Sequence, residues 1–175
     1  MTRQMPGVVI GIVKGFNDPA GEGRIELEFP WLPDPHRSAF AAVATPLAGK
    51  DRGLFLMPEQ DDEVLVAFDH GDFAHPYIVG YLWNGVDKPP RSTPSTRVLV
   101  TPGKHMLEFE DDPASLKITL KSAGSHSIEI DDTTGTITVR TSGGQQIVLS
   151  DMPGSIELRG GGRRLALENG MVVVT

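Results

Sequence analysis

The chain has 175 residues with 14 prolines, 20 glycines, no cysteine and a formal net charge of −7. Disulfides and cysteine-based zinc clusters are therefore excluded, and no apolar run approaches the roughly 18 residues that a membrane-spanning helix needs. The acidic balance argues against nucleic acid as the main partner, because phosphate binding needs clustered Lys and Arg.

Residues 1–7 lack the apolar core of a signal peptide, and the apolar stretch 8–13 is short and alternating, so no export signal is expected. Helical periodicity is almost absent. Residues 37–44 are compatible with a helix but read equally well as a strand, and the rest alternates with period two, which predicts an all-β protein. Strands are expected at 8–14, 24–29, 40–44, 63–68 and 77–82. In the second, Ile25, Leu27 and Phe29 share a face; in the fourth, Val64, Val66 and Phe68 do. Turn residues separate them at Asn17-Asp18-Pro19, Gly21-Glu22-Gly23, Pro33-Asp34-Pro35, Ala48-Gly49-Lys50 and 69–76. Five unevenly spaced strands with glycine near the bends describe a small barrel of the OB type over residues 1–88, with a five-stranded sandwich as the alternative. Residues 89–100, rich in proline, read as a stiff extended connector.

Residues 101–175 have another rhythm. Apolar doublets recur as Leu107/Phe109, Ile118/Leu120, Ile128/Ile130, Ile137/Val139, Ile147/Leu149, Ile156/Leu158, Leu165/Leu167 and Val172/Val174. Turn residues fall between them, among them Gly124, Gly143-Gly144, Pro153-Gly154 and Asn169-Gly170. Such a repeat predicts stacked strands. Two or three inward side chains per strand cannot offset the ordering of about 75 residues at roughly 1–2 kcal/mol of backbone entropy each. Three copies wound about one axis can, so an intertwined triple-stranded β-helix is expected, each strand pairing with strands of neighbouring chains. Its axial core would be Ile118, Leu120, Ile128, Ile130, Ile137, Val139, Ile147, Leu149, Ile156 and Leu158.

Candidate chemistry is thin. Asp69-His70-Gly71-Asp72-Phe73-Ala74-His75 gathers two carboxylates and two imidazoles, the residue types of a metal site or an acid–base pair, but in a segment where a hairpin loop is expected. No serine sits in a Gly-x-Ser-x-Gly setting. Gly160-Gly161-Gly162-Arg163-Arg164 lacks the helix and the closing Lys and Ser/Thr of a phosphate loop. No catalytic, metal or cofactor residue is assigned. An OB barrel can bind single strands by stacking bases in a basic groove, but acidic residues outnumber basic ones in this half. Trp31, beside several prolines, reads either as an exposed docking anchor or as a cap on the barrel core.

The first half resembles the OB domain of the phage baseplate assembly protein V family, shared with the valine-glycine-repeat spikes of type VI secretion. The matching stretches are Gly7-Val8-Val9-Ile10-Gly11-Ile12-Val13, Asp18-Pro19 through Gly23-Arg24-Ile25, Phe29-Pro30-Trp31, Met57-Pro58-Glu59, Asp62-Glu63-Val64-Leu65-Val66 and Gly71-Asp72. The second half is similar to the β-helix that follows this barrel in such spikes, at His105-Met106-Leu107-Glu108-Phe109 and at Gly124 with His126. The resemblance implies a non-enzymatic homotrimer, assembled in the bacterial cytoplasm into the baseplate of a phage tail, tailocin or type VI-like machine. The barrels would sit under a hub protein and the β-helix would point outward to pierce the target cell membrane. Some members insert a muramidase domain between barrel and β-helix, and a connector of this length has no room for one. Others sharpen their point with iron held by His-x-His near the C-terminus, and no histidine follows His126. The implied apex partner is a tip protein of the proline-alanine-alanine-arginine repeat type, docked on Met171, Val172, Val173, Val174 and Thr175.

Overall fold

A computed structural model describes residue 5 and residues 7–33, 36–37 (backbone alone) and 40–175. Asp34 and Pro35 of the expected turn, most of the N-terminal segment 1–7, and Ser38 and Ala39 of the stretch 37–44 lie outside the described residues. The chain divides into two compact units, Met1–Lys88 and Pro89–Thr175.

The first unit contains β1 (Val8–Gly15), β2 (Glu26–Phe29), β3 (His36–Arg37), β4 (Ala42–Val43), the small hairpin β5 (Ala48–Gly49) and β6 (Arg52–Gly53), β7 (Glu63–Phe68) and β8 (Pro76–Tyr81). The main sheet has the order β3-β2-β1-β7-β8-β4, antiparallel except for the parallel pair β4–β8. Just before β2, Ile25 and Ala41 exchange backbone hydrogen bonds of 2.9 and 2.7 Å. This bridge joins the β2 end of the sheet to the β4 end, so the sheet closes on itself. Closure separates the OB barrel from an open sandwich and removes exposed edges.

The alternating pattern explains the core. Ile25, Leu27 and Phe29 from β2 and its lead-in, Val64, Val66 and Phe68 from β7, and Val13, Ala41 and Ile78 pack in the interior. Phe29 lies at the centre of an aromatic cluster, with ring centroids 5.2 Å from Phe73, 5.7 Å from Phe68 and 5.8 Å from Trp31. Trp31 donates its indole N–H to the Ile10 carbonyl at 3.1 Å. It therefore caps the core while keeping part of its ring in solvent. Gly11 sits where β1 crosses the interior: a Cβ there would come within 3.1 Å of Val66 and 3.4 Å of Leu27 and Phe29. The loop between β1 and β2 is tied by Asp18, whose carboxylate accepts from the backbone N–H groups of Ala20, Glu22 and Arg24 and from the Arg24 guanidinium at 2.8 Å.

The second unit is one antiparallel sheet of nine strands in sequence order: β9 (Thr96–Val100), β10 (Met106–Asp112), β11 (Ser115–Lys121), β12 (Ser127–Asp131), β13 (Thr136–Arg140), β14 (Gln146–Ser150), β15 (Ser155–Gly160), β16 (Arg163–Glu168) and β17 (Met171–Val174). Two features differ from expectation. Thr96–Val100, read as connector, is a strand, because its β-branched alternation pairs with β10 from Thr96↔Glu110 to Val100↔Met106. Pairing of each strand with neighbouring chains is replaced by pairing within the chain. Connections of two to five residues return every strand beside its predecessor, as in a hairpin, and leave no room for another chain between them. Interchain backbone pairing could then involve only the outer edges of β9 and β17.

Candidate assembly face

Register decides what this sheet can do. Opposed pairs run Phe109↔Ile118, Ile118↔Ile130 and Leu120↔Ile128 at one end of the meander. They continue as Ile128↔Val139, Ile130↔Ile137, Ile137↔Leu149 and Val139↔Ile147, then Ile147↔Leu158 and Leu149↔Ile156. The last are Ile156↔Leu167, Leu158↔Leu165, Leu165↔Val174 and Leu167↔Val172. Because side chains alternate faces along a strand and opposed residues share one, all ten residues assigned to the axial core stand on one face, in two parallel ladders. Leu99, at the β9 end, and Leu116 extend it; neither belongs to a doublet, so the spacing pattern passes over both.

These residues are not buried. Among the ten, exposure runs from 37% at Ile130 to 51% at Leu120, and at β17 it reaches 66% for Val172 and 68% for Val174. Among the described residues, Ala166 is the only fully buried apolar residue of the second unit. The ladders therefore present on the order of 1,000 Å² of apolar surface, where a monomer exposes a few hundred in one patch. Covering them is worth roughly 1–2 kcal/mol for each Ile or Leu.

The opposite face carries the charged side chains of the sheet, paired within the chain. Lys117 reaches Glu129 at 3.4 Å and Asp131 at 3.3 Å; Arg164 reaches Glu157 at 2.7 Å and Glu168 at 2.5 Å; Arg159 also pairs with Glu157. Arg91, in the connector, joins Glu108 at 2.5 Å and so ties the extended segment to the sheet. Of the five residues assigned to tip docking, Val172 and Val174 lie on the apolar face, and Met171 and Val173 on the other. Thr175 exchanges backbone hydrogen bonds with Arg164 at 2.8 and 2.9 Å.

The remaining sequence candidates have local roles. Asp72 closes the hairpin between β7 and β8, accepting from the Ala74 N–H at 3.0 Å and meeting His75 Nδ1 at 2.9 Å. Gly161 and Gly162 form the turn from β15 to β16 at positive φ. Phe29 and Phe68 belong to the barrel core, whereas Phe55 and Trp83 stand 79% and 65% exposed.

Residues 9–83 match the family described as the type VI secretion system/phage-baseplate injector OB domain. The type VI secretion system spike protein VgrG2a of Pseudomonas aeruginosa is 28% identical over 127 residues, covering 66% of this chain. The spike protein VgrG3 of Vibrio cholerae is 29% identical over 136 residues, covering 67%. The chain is a relative of the baseplate and type VI secretion spike proteins. It spans only a small part of them, 14% of VgrG2a and 13% of VgrG3. Another relative at 29% identity, the actin cross-linking toxin VgrG1 of Vibrio cholerae, is matched over 12% of its length. The baseplate-type OB domain thus coincides with the closed barrel, and the spike relatives extend the similarity beyond it.

The ion pairs on the polar face of this spike relative give a pH dependence. Hydrogen bonds from Arg164, and then from Arg159, hold the Glu157 carboxyl at about 2, below its ordinary 4.5. A depressed carboxylate contributes stability above its unfolded value and loses it as pH falls through the folded one. Glu157→Gln should therefore lower the melting temperature at pH 6. The gap to the wild type should close between about pH 4.5 and 2, as thermal melts across that range would record.

Proposed function

We propose that this chain is the central spike of a contractile injection system such as a phage tail, a tailocin or a type VI-like machine, acting mechanically as a homotrimer without catalysis. The observation that carries this reading is the uncovered apolar ladder of the second unit, a nine-stranded sheet with one buried apolar side chain among the described residues. Three such sheets, apolar faces inward, supply one another's missing core.

Wall width favours three copies. A five-residue strand is about 17 Å long. A three-sided prism with walls of that width puts each wall about 5 Å from the axis, half the roughly 10 Å at which sheets pack face to face. Ile and Leu side chains then meet at the centre. Four walls would stand about 8.5 Å away and leave a void, which close-packed interiors avoid. At about 4.8 Å per strand, nine strands give a shaft of roughly 38 Å. Its hydrogen bonds run along the shaft, the direction in which a piercing element is loaded.

The barrel would dock the baseplate hub, and exposed Phe55 and Trp83 are the anchor type of side chain for such a contact. Met171 to Thr175 would receive a tip protein of the proline-alanine-alanine-arginine repeat type, by apolar burial and by pairing along the outer edge of β17. The target membrane is met on injection, after assembly in the cytoplasm into the baseplate. Removing the chain from its own injection apparatus should leave particles that lack the axial spike in electron micrographs and deliver nothing. Particles with normal ends and normal delivery would contradict the proposal.

A further inference from the structure

The turns of the nine-stranded sheet fall on two edges. One edge holds the connections after β9, β11, β13 and β15; the other holds those after β10, β12, β14 and β16. Charge separates between them. At the first edge stand Lys104, Lys121, Arg140 and Arg163, all exposed, together with exposed His105 and His126. At the second stand Asp112, Asp132 and Asp151, also exposed. Other charged groups of this sheet are engaged within the chain, as Lys117 is with Glu129 and Asp131, and Arg164 with Glu157 and Glu168. The four cations and three aspartates at the edges have no in-chain ion pair among the described residues. Leftover positive charge thus collects on one edge and leftover negative charge on the other.

Their spacing matches. Each turn of the first edge brings one cation, the first three turns of the second edge bring one carboxylate each, and the two series of turns are offset by one strand, about 4.8 Å. When two copies run in the same direction, the turns of one edge fall between the turns of the other. Asp112 then falls between Lys104 and Lys121, Asp132 between Lys121 and Arg140, and Asp151 between Arg140 and Arg163. Copies running in opposite directions would bring like edges together.

We infer that the two edges form a charge-complementary seam between copies of this chain, which joins the basic edge of each wall to the acidic edge of the next and so orients all walls the same way. The inference rests on the trimeric reading above and adds what sets its direction. A head-to-tail contact of this kind closes a ring under rotation. Single exposed ion pairs contribute little. Several in register, repeated at each corner, act mainly by penalising the wrong orientation, as like charges do across other interfaces.

Charge reversal tests the seam separately from the trimer. The variant K104E/K121E/R140E/R163E makes both edges acidic, and D112K/D132K/D151K makes both basic. At low ionic strength each should refold to trimer at least tenfold less efficiently than the wild type, with partial recovery in 0.5–1 M salt, about the range where screening shortens to a few ångströms. The chain carrying both sets restores opposite charges at every corner and should recover wild-type yield. It holds all seven substitutions, so it also controls for loss of folding. If either one-edge variant assembles as well as the wild type at low salt, the seam is overturned while the trimer stands; failure of the seven-fold variant to recover overturns it too. A wild type that is itself monomeric would instead remove the reading on which the seam rests.

Discussion

Ile137→Asp should abolish assembly and leave a protein with the mass of one chain. Ile137 lies mid-sheet, opposed to Ile130 on one side and Leu149 on the other. In the proposed prism its three copies meet at one level of the axis. Three carboxylates there would be buried without partners, at several kcal/mol each, in a site where every neighbour is aliphatic. Protonation would relieve the charge but leave unsatisfied hydroxyl and carbonyl groups in its place. The matched control is Thr138→Lys on the same strand. Thr138 faces the other way, opposed to Glu129 and Val148, so a lysine there gains a nearby acid and stays in solvent. Light scattering should give a monomer for the first and an unchanged assembly for the second. Assembly of Ile137→Asp at wild-type mass would show that the ladder face does not point inward.

Phe29→Ala should unfold the barrel and spare the assembly. Phe29 is fully buried and touches three other aromatic rings, so truncation removes both its own transfer energy and the support of Phe68, Phe73 and Trp31. Phe→Ala in a core costs about 3–5 kcal/mol, a large share of the stability available to a unit of this size. Both tryptophans, Trp31 and Trp83, belong to the first unit, so fluorescence reports the barrel alone. The variant should show a solvent-exposed tryptophan spectrum at room temperature while still running as an oligomer. Loss of both together would mean that the barrel is needed for assembly.

Much of the barrel can be read from alternation. Ile25, Leu27 and Phe29, like Val64, Val66 and Phe68, are buried as their period-two pattern requires. The stretch from Asp18 to Arg24 carries a family resemblance for a structural reason, because one carboxylate organises the whole turn. What alternation cannot supply is the bridge between Ile25 and Ala41, a single pair between distant segments. Nor does it name the partner of a strand. Period two tells which side Ile137 faces but not whether Ile130 of the same chain or of another lies beside it. The informative signal was turn length, since connections as short as Asn169-Gly170 dictate a hairpin within the chain. The strand at Thr96–Val100 was hidden behind the prolines that precede it. The edge charges become visible only once hairpins are assigned, because Lys121 and Arg140 fall near each other only when every second turn is counted on one side.

The mass of the intact wild-type protein in dilute solution decides whether three copies share one apolar axis. Three times the 18.9 kDa of one chain is expected, independent of protein concentration over the micromolar range. A mass of one chain, with the ladder face open to solvent, would contradict it.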